Sequence, residues 1–177
     1  TSLPERIRVE GGDLVRRAVL ASLPATLRGR LHASAVSALE GAPGISPELL
    51  AHHACLGGMG DAPDHCLRAA EDARRDERPA AAARWLLEAA AAATSLEAER
   101  GTDPVVLEWR IRAAELALEA GAGELALEAL DGLDRGGPQP PLVVRAGLVR
   151  ARLRARDSSW EEAVEILIQA ADVLGDV

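Results

Sequence analysis

Residues 107–138 read LEWRIRAAELALEAGAGELALEALDGLDRGGP, two helix-forming segments separated by the turn Gly121-Ala122-Gly123. Ala and Leu dominate both segments, and Ala favours helix because it loses no side-chain entropy on folding. Five positions of this stretch carry, in order, two small residues, a large apolar residue, a further apolar residue and a Pro. They are Ala114, Ala126, Leu130, Leu133 and Pro138. The two small residues would lie where the helices cross, and the Pro would end the second helix. The stretch therefore predicts a helix pair, and its short turn predicts that the two helices run antiparallel.

The same spacing occurs on both sides of this pair. The positions are Ala70, Ala82, Leu86 and Ala89 in a preceding unit, and Ala151, Ala163, Leu167 and Ala170 in a following one. This spacing resembles the tetratricopeptide repeat, and the resemblance implies helix pairs stacked as a right-handed superhelix. The units are farther apart than in the regular repeat, and they lack its usual aromatic residues. A generic helical bundle, in which abundant Ala produces the spacing by chance, is the alternative; both are all-α.

Gly, Pro and capping residues divide the rest of the chain into further helices. Ser46-Pro47 and Asp103-Pro104 each place a capping side chain before a Pro at the first helical position. Ser158 and Glu161 have the spacing of a capping box. Residues 5–10 alternate polar and apolar side chains, as a short strand does. We predict about nine helices, near 14–23, 25–40, 46–56, 63–76, 79–94, 103–120, 124–134, 140–156 and 158–174.

Composition argues against direct nucleic-acid binding by this chain. The 28 acidic residues outnumber the 20 basic ones, all of them Arg, and the net charge is −8. Such a surface repels a phosphate backbone, and without Phe or Tyr the chain has no evident platform for stacking bases. Without Lys, a phosphate-binding loop of the Gly-rich, Lys-containing type is impossible in this segment.

The chain carries no sign of a membrane or secretory protein. No run of about 18 uncharged apolar residues occurs, and residues 1–6 lack the basic-then-apolar pattern of a signal peptide. Two Cys residues do not make a disulfide framework. We therefore expect a cytoplasmic protein that makes no membrane contact. The missing initiator Met favours a segment of a longer protein.

A second resemblance involves the front of the chain. Its residues are Ile7-Arg8-Val9, Asp13-Leu14-Val15, Leu23-Pro24, Arg30-Leu31-His32 and the stretch ELLAHHA at 48–54. Residues 7–40 resemble the junction between a winged-helix module and helical repeats in signal-transduction (STAND) ATPases, especially large regulators with a LuxR-type DNA-binding end. The resemblance implies that 1–44 ends the winged-helix module and adds connecting helices, while 45–177 forms the repeat array. Gly12 stands where that family has its nucleotide-sensing His, so we do not expect nucleotide sensing there.

A group of His and Cys residues is a candidate zinc site. His52, His53, Cys55, His65 and Cys66 lie around one predicted turn, and an antiparallel hairpin can bring thiolates and imidazoles together around zinc. Their spacing matches no standard zinc framework, so buried packing is the favoured interpretation, with no metal and no cofactor. His32 has no partner at a catalytic spacing, and the three Trp residues are expected to fill core gaps left by Ala.

Charged side chains on the first helix of each pair suggest a binding surface. In tetratricopeptide arrays these helices line a concave groove in which peptides or partner helices bind. The predicted groove residues are Arg74, Arg75, Glu108, Arg112, Glu115, Glu119, Arg145, Arg152 and Arg156. The last three would form a basic stripe suited to an acidic partner segment. A solvated face without a partner is the competing interpretation.

From these patterns we expect a non-catalytic arm that binds a protein or peptide, or regulates a multidomain ATPase-type transcriptional regulator. Its partner is then another protein or other domains of the same polypeptide, and self-association stays open. A free-standing tetratricopeptide scaffold is the first alternative. A small metal-dependent enzyme using the His/Cys group is the second.

Overall fold

Helices account for most of the residues that the structure describes. The computed structural model describes residues 18–19, 21–96, 103–131, 133 and 140–175, and within these ranges the chain forms helices and turns without a strand. The eight helices of this part are α1 Ala25–Leu39, α2 Pro47–Gly57, α3 Ala62–Arg75, α4 Pro79–Leu96, α5 Pro104–Glu119, α6 Gly123–Leu130, α7 Pro140–Arg156 and α8 Trp160–Gly175. The predicted all-α class is thus confirmed for the described residues.

The predicted capping residues begin two of these helices. The Ser46 side chain accepts a hydrogen bond from the backbone N–H of Leu49 at 3.3 Å, and Asp103 accepts one from Val105 at 2.8 Å. Each cap satisfies a donor that the first turn of a helix leaves unpaired. Gly58 ends α2 in the left-handed conformation, with φ 60°.

Consecutive helices pack against each other in chain order. The first pair is antiparallel, because Gly29 and His32 of α1 meet Gly57 and His53 of α2 in reverse order. The helices α5 and α7 instead run in the same direction and also pack together. Glu108 near the start of α5 bonds Arg145 near the start of α7, and Leu118 near the end of α5 accepts a bond from Arg156 at the end of α7.

Small residues form the crossings. None of the predicted small crossing residues is more than 5% exposed, and these are Ala70, Ala82, Ala114, Ala126, Ala151 and Ala163. At the crossing of α7 with α8, a Cβ added to Gly147 would lie only 2.9 Å from the Cβ of Ala170. Side-chain size at the contact sets how closely two helices approach.

The outer face of α8 departs from the predicted pattern. Leu167 was aligned with Leu86 and Leu130, but it is 42% exposed, whereas those two are 6% and 2% exposed. Leu86 and Leu130 belong to one core cluster with residues of α5 and α7, the helices that follow their own. No described helix packs on the outer side of α8, so Leu167 and its neighbours Val164 and Ile168 face solvent.

Two boundaries differ from the prediction. The helix α6 ends at Leu130 rather than near 134, because Asp131 turns the backbone to an extended conformation. Ser158 does not cap α8, which begins at Trp160; Ser158 ends α7 in the left-handed region, with φ 62°. Several predicted features lie outside the described residues: the strand at 5–10, Gly12 and Asp13, half of the helix near 14–23, and Pro138. Among the described helices, none combines the length and apolarity needed to cross a bilayer.

Candidate functional site

A groove between α5 and α7, with a volume of 690 Å³, is the main concave surface built from predicted site residues. The side chains that line it are Glu108, Arg112, Glu115, Leu116, Leu118, Glu119, Arg145, Leu148, Val149 and Arg152. Six of the nine predicted residues therefore meet at one surface. We call it the α5/α7 groove.

Helical periodicity explains why these side chains share one surface. Arg112, Glu115 and Glu119 follow Glu108 at helical spacings on α5, and Leu148, Val149 and Arg152 follow Arg145 in the same way on α7. The opposite face of α5 carries Ala113, Ala114 and Ala117, which are fully buried. The buried Ala face holds α5 in the core, and the charged face is left to line the groove.

Arg145 is held by two carboxylates of α5. Its Nη1 donates to Oε1 of Glu108 at 2.6 Å, while Nε and Nη2 donate to the two oxygens of Glu115 at 3.0 and 2.8 Å. The hydrogen bonds to Glu115 and then to Glu108 raise the pKa of Arg145. A guanidinium that already has two carboxylate partners is not available to an acidic ligand.

The predicted basic stripe on α7 is therefore not a row of three available cations. Arg156 donates to the backbone carbonyl of Leu118 at 3.3 Å and faces a different cavity, near Gly121 and Gly123. Its guanidinium meets a helix end, where carbonyls carry partial negative charge. Only Arg152 of the stripe remains without a partner among the described residues.

Two arginines of the groove carry available charge. Arg112 of α5 and Arg152 of α7 are exposed, and neither forms a hydrogen bond or ion pair with any residue that the structure describes. Between them the groove offers apolar side chains, of which Leu148 is exposed and Val149 is buried. The usable chemistry is thus two guanidinium groups and the exposed carboxylate of Glu119 beside an apolar strip.

The two remaining predicted residues, Arg74 and Arg75, lie at the end of α3 and do not line the groove. Arg74 donates to both oxygens of Glu71 at 3.0 and 2.9 Å, and Arg75 lies 3.6 Å from the same carboxylate. This exposed cluster lowers the pKa of Glu71, mainly through the hydrogen bond from Arg74. The more distant charge of Arg112 contributes in the same direction.

The His and Cys residues separate into three contacts rather than one site. His53 lies against His32 of α1, with their Nδ1 atoms 2.8 Å apart, and Cys55 lies against Cys66. His65 is buried, 3.7 Å from the carboxylate of Asp61. In the described part of the chain, no three His, Cys, Asp or Glu side chains are grouped so that they could hold a metal ion.

The Trp residues do not share one environment. Trp85 and Trp109 are half-buried against the core, as predicted, and Trp85 Nε1 donates to Glu48 at 3.4 Å. Trp160 is 66% exposed, so the prediction that it fills a core gap is wrong. It lies at the first residue of α8, on the side that no described helix covers.

Sequence reasoning missed one arginine and the apolar part of the groove. Arg110 donates to the backbone carbonyls of Ala129, Glu128 and Asp131, and so caps the end of α6. Burial lowers the pKa of Arg110. Leu148 and Val149 follow Arg145 at i+3 and i+4, and this spacing was the signal that could have identified them.

Comparison with protein-family models, with curated proteins and with solved structures finds no significant match to this chain.

Proposed function

We propose that this chain is a non-catalytic arm built from tetratricopeptide-like helix pairs, which binds an acidic protein segment in the α5/α7 groove. The observation that carries the proposal is the pair of partnerless guanidinium groups, Arg112 and Arg152, beside the apolar strip of the groove. Carboxylates are the natural partners of guanidinium groups, because the two can form paired hydrogen bonds.

Burial and helix order support the repeat architecture. All small residues of the three predicted units are buried, and so are Leu86, Leu130 and Leu133. The same-direction contact between α5 and α7 joins residues 37 apart in sequence, Glu108 and Arg145. A stack of helix pairs produces this relation, since the first helices of successive pairs lie side by side.

The groove suits a segment that presents both acidic and apolar side chains. Its volume of 690 Å³ takes several side chains rather than a whole domain. Exposed Leu148 supplies apolar contact, and the ion pairs of Arg145 fix the distance between the two walls. Charge at the rim of such a site acts mainly on the rate of association and on selectivity.

The proposed setting is a multidomain ATPase-type transcriptional regulator, in which the arm receives an effector protein or another domain of the same polypeptide. The resemblance of residues 7–40 to a winged-helix-to-repeat junction supports this setting. The coding sequence upstream of Thr1 tests it directly. A Gly-rich phosphate-binding loop encoded there is expected; its absence would leave the arm as a free-standing scaffold.

The groove is tested with labelled peptides and fluorescence anisotropy. The probe is a peptide of alternating Glu and Leu residues, and its counterpart has Lys in place of Glu. Wild-type protein is expected to bind the acidic probe, and the Arg112→Glu/Arg152→Glu variant to bind it about tenfold more weakly or worse. Both residues are exposed and partnerless, so the variant should fold normally.

A second double variant controls for net charge. Arg30→Glu/Arg84→Glu makes the same change in charge at exposed positions of α1 and α4, outside the groove. It should bind the acidic probe as wild-type protein does. Equal weakening by the two variants would show that binding depends on net charge and not on the groove. If the wild-type protein does not bind the acidic probe, the groove is not a binding site for acidic segments.

A further inference from the structure

Two free thiols face each other between α2 and α3. The Sγ atoms of Cys55 and Cys66 lie 3.2 Å apart, eleven residues apart in sequence, across the turn at 58–61. A disulfide bond is about 2.05 Å long, so the sulfurs need to approach by roughly 1.2 Å to be joined. Small adjustments of side chains and helices supply a movement of that size.

The two thiols differ in their access to solvent. Cys66 is fully buried in a cluster with Ala51, Ala69 and Ala89. Cys55 is half-buried and lines a cavity of 190 Å³, whose other walls include Met59 and Glu88. A small molecule that enters this cavity reaches Cys55 first, and Cys66 lies directly behind it.

The contact also makes the two sulfurs chemically unequal. The hydrogen bond shared with Cys66 lowers the pKa of the Cys55 thiol, against the opposing effects of burial and of Glu88. The same hydrogen bond and burial raise the pKa of Cys66. A thiolate is the reactive form of Cys, so the accessible sulfur is also the more nucleophilic one.

Metal binding does not account for the pair. His65 is turned to Asp61, and His53 is turned to His32 of α1. Across the residues that the structure describes, no third ligand joins the two sulfurs in a group able to hold a metal ion. A pair of close thiols with one accessible member instead matches the arrangement in which a disulfide forms on oxidation.

We propose that Cys55 and Cys66 are an oxidation site, which a two-electron oxidant of the peroxide class converts reversibly to an intramolecular disulfide. The Cys55 thiolate attacks one oxygen of hydrogen peroxide and breaks the O–O bond, giving a sulfenic acid; the departing hydroxide takes up a proton and leaves as water. The Cys66 sulfur then attacks the Cys55 sulfur, forms the S–S bond and releases a second water. The thiols lose two hydrogens in all, and the disulfide ties α2 to α3.

Mass spectrometry of the whole chain tests the proposal. Reduced protein is treated with a slight molar excess of hydrogen peroxide, unfolded, and alkylated at its remaining thiols. We expect both thiols to be lost together, with a mass decrease of two hydrogen atoms that dithiothreitol reverses. Peptide mapping locates the S–S bond and separates it from sulfoxide at Met59, which lines the same cavity.

Two conservative variants test the order of events. Cys66→Ser should stop at a sulfenic acid on Cys55, trapped by dimedone, and Cys55→Ser should leave the buried Cys66 as a thiol. Equal oxidation of Cys66 in the absence of Cys55 would overturn the assigned order. Two thiols that remain alkylatable after peroxide treatment of wild-type protein would overturn the site itself.

A measurement on wild-type protein keeps the proposal testable if a variant fails to fold. The protein is equilibrated in glutathione buffers of increasing oxidised fraction, and its thiols are counted by alkylation. A reversible loss of both thiols within the series supports the disulfide. Thiols that persist in the most oxidising buffer, or disulfide-linked dimers in place of the internal bond, refute it.

Discussion

Nη1 of Arg145 lies 2.6 Å from Oε1 of Glu108, and this ion pair joins the start of α7 to the start of α5. The same guanidinium also binds Glu115, about two helical turns further along the same face of α5. The two bonds fix the register of α7 against α5. A residue that sequence reasoning assigned to partner binding therefore holds the walls of the groove together.

Replacement of Arg145 by Met should lower the stability of the protein. The ion pairs are only half-buried, so the expected loss in free energy of unfolding is about 1 kcal/mol, with a share from the two carboxylates left without their partner. Urea denaturation measures it. Arg152→Met, at a position without a partner among the described residues, is the control and should change stability little. Equal losses of unfolding free energy in the two variants would mean that the ion pairs of Arg145 do not contribute to stability.

A double-mutant cycle isolates the contact itself. The double variant Glu108→Gln/Arg145→Met should lose less free energy of unfolding than the two single variants lose together. Either single change already removes the ion pair between Glu108 and Arg145, so the second change cannot remove it again. Strict additivity would show that the two side chains do not interact in solution.

The role of Arg145 could not be predicted from its place in the sequence. Helical spacing correctly put Arg145 and Arg152 on one face of α7, because that depends on α7 alone. Whether Arg145 meets a carboxylate depends on the register between α5 and α7, which lie 37 residues apart at this contact. That register is set by packing of Ala-lined crossings, which the spacing of small residues locates only approximately.

Lowering the pH should weaken the contact between α1 and α2. Burial, and then the charges of His52 and Arg28, lower the pKa of His32; burial, His32 and His52 do the same for His53. The folded pKa values thus lie below the ordinary value of about 6.5, so the unfolded chain takes up protons first. The imidazole pair therefore stabilises the folded protein at pH values above about 6.5. This stabilisation is lost as the pH falls from about 6.5 toward the lower pKa values of His32 and His53 in the folded protein.

The pH effect is measured by urea denaturation between about pH 7.5 and 5.5, above the range in which most carboxylates titrate. The slope of stability against pH should be smaller in His53→Gln than in wild-type protein, whatever the absolute stability of the variant. The Nδ1 atoms are 2.8 Å apart, which requires one of them to accept a hydrogen bond and therefore to be unprotonated. Identical slopes would exclude the imidazole pair as the source.

Two glycines within helices should respond oppositely to replacement by Ala. Gly147→Ala in α7 places a Cβ 2.9 Å from the Cβ of Ala170, which cannot rotate away. Overpacking costs about 1–3 kcal/mol and exceeds the gain in helix propensity, so the melting temperature should fall by a few degrees. Gly29→Ala in α1 meets only ordinary contacts, the nearest at 3.7 Å, and should stabilise by about 0.5–1 kcal/mol. A gain in both variants would mean that α7 and α8 do not pack as closely in solution.

The exposed residues of α8 mark the limit of what a repeat pattern can predict. Ala163 and Ala170 are buried as the pattern required, because both face α7 within the same pair. Leu167 and Trp160 were assigned to the core by position, yet both face solvent. Burial of such positions depends on the helix packed outside the pair, and a pattern within one unit carries no information about that neighbour.

The backbone at Ser158 and Gly58 supplies the last prediction. Both residues end a helix in the left-handed region, at φ 62° and 60°, a conformation that costs an L-residue about 1 kcal/mol or more and Gly almost nothing. Ser158→Gly should therefore raise the free energy of unfolding by about 0.5 kcal/mol after the greater freedom of Gly in the unfolded chain is subtracted. Gly58→Ala should lower it by about 1 kcal/mol, and since no atom lies within 4 Å of the new Cβ, the loss would be backbone strain alone. The two changes are measured by urea denaturation in the same buffer. Shifts of the same sign would mean that at least one of these helix ends has a different backbone conformation in solution.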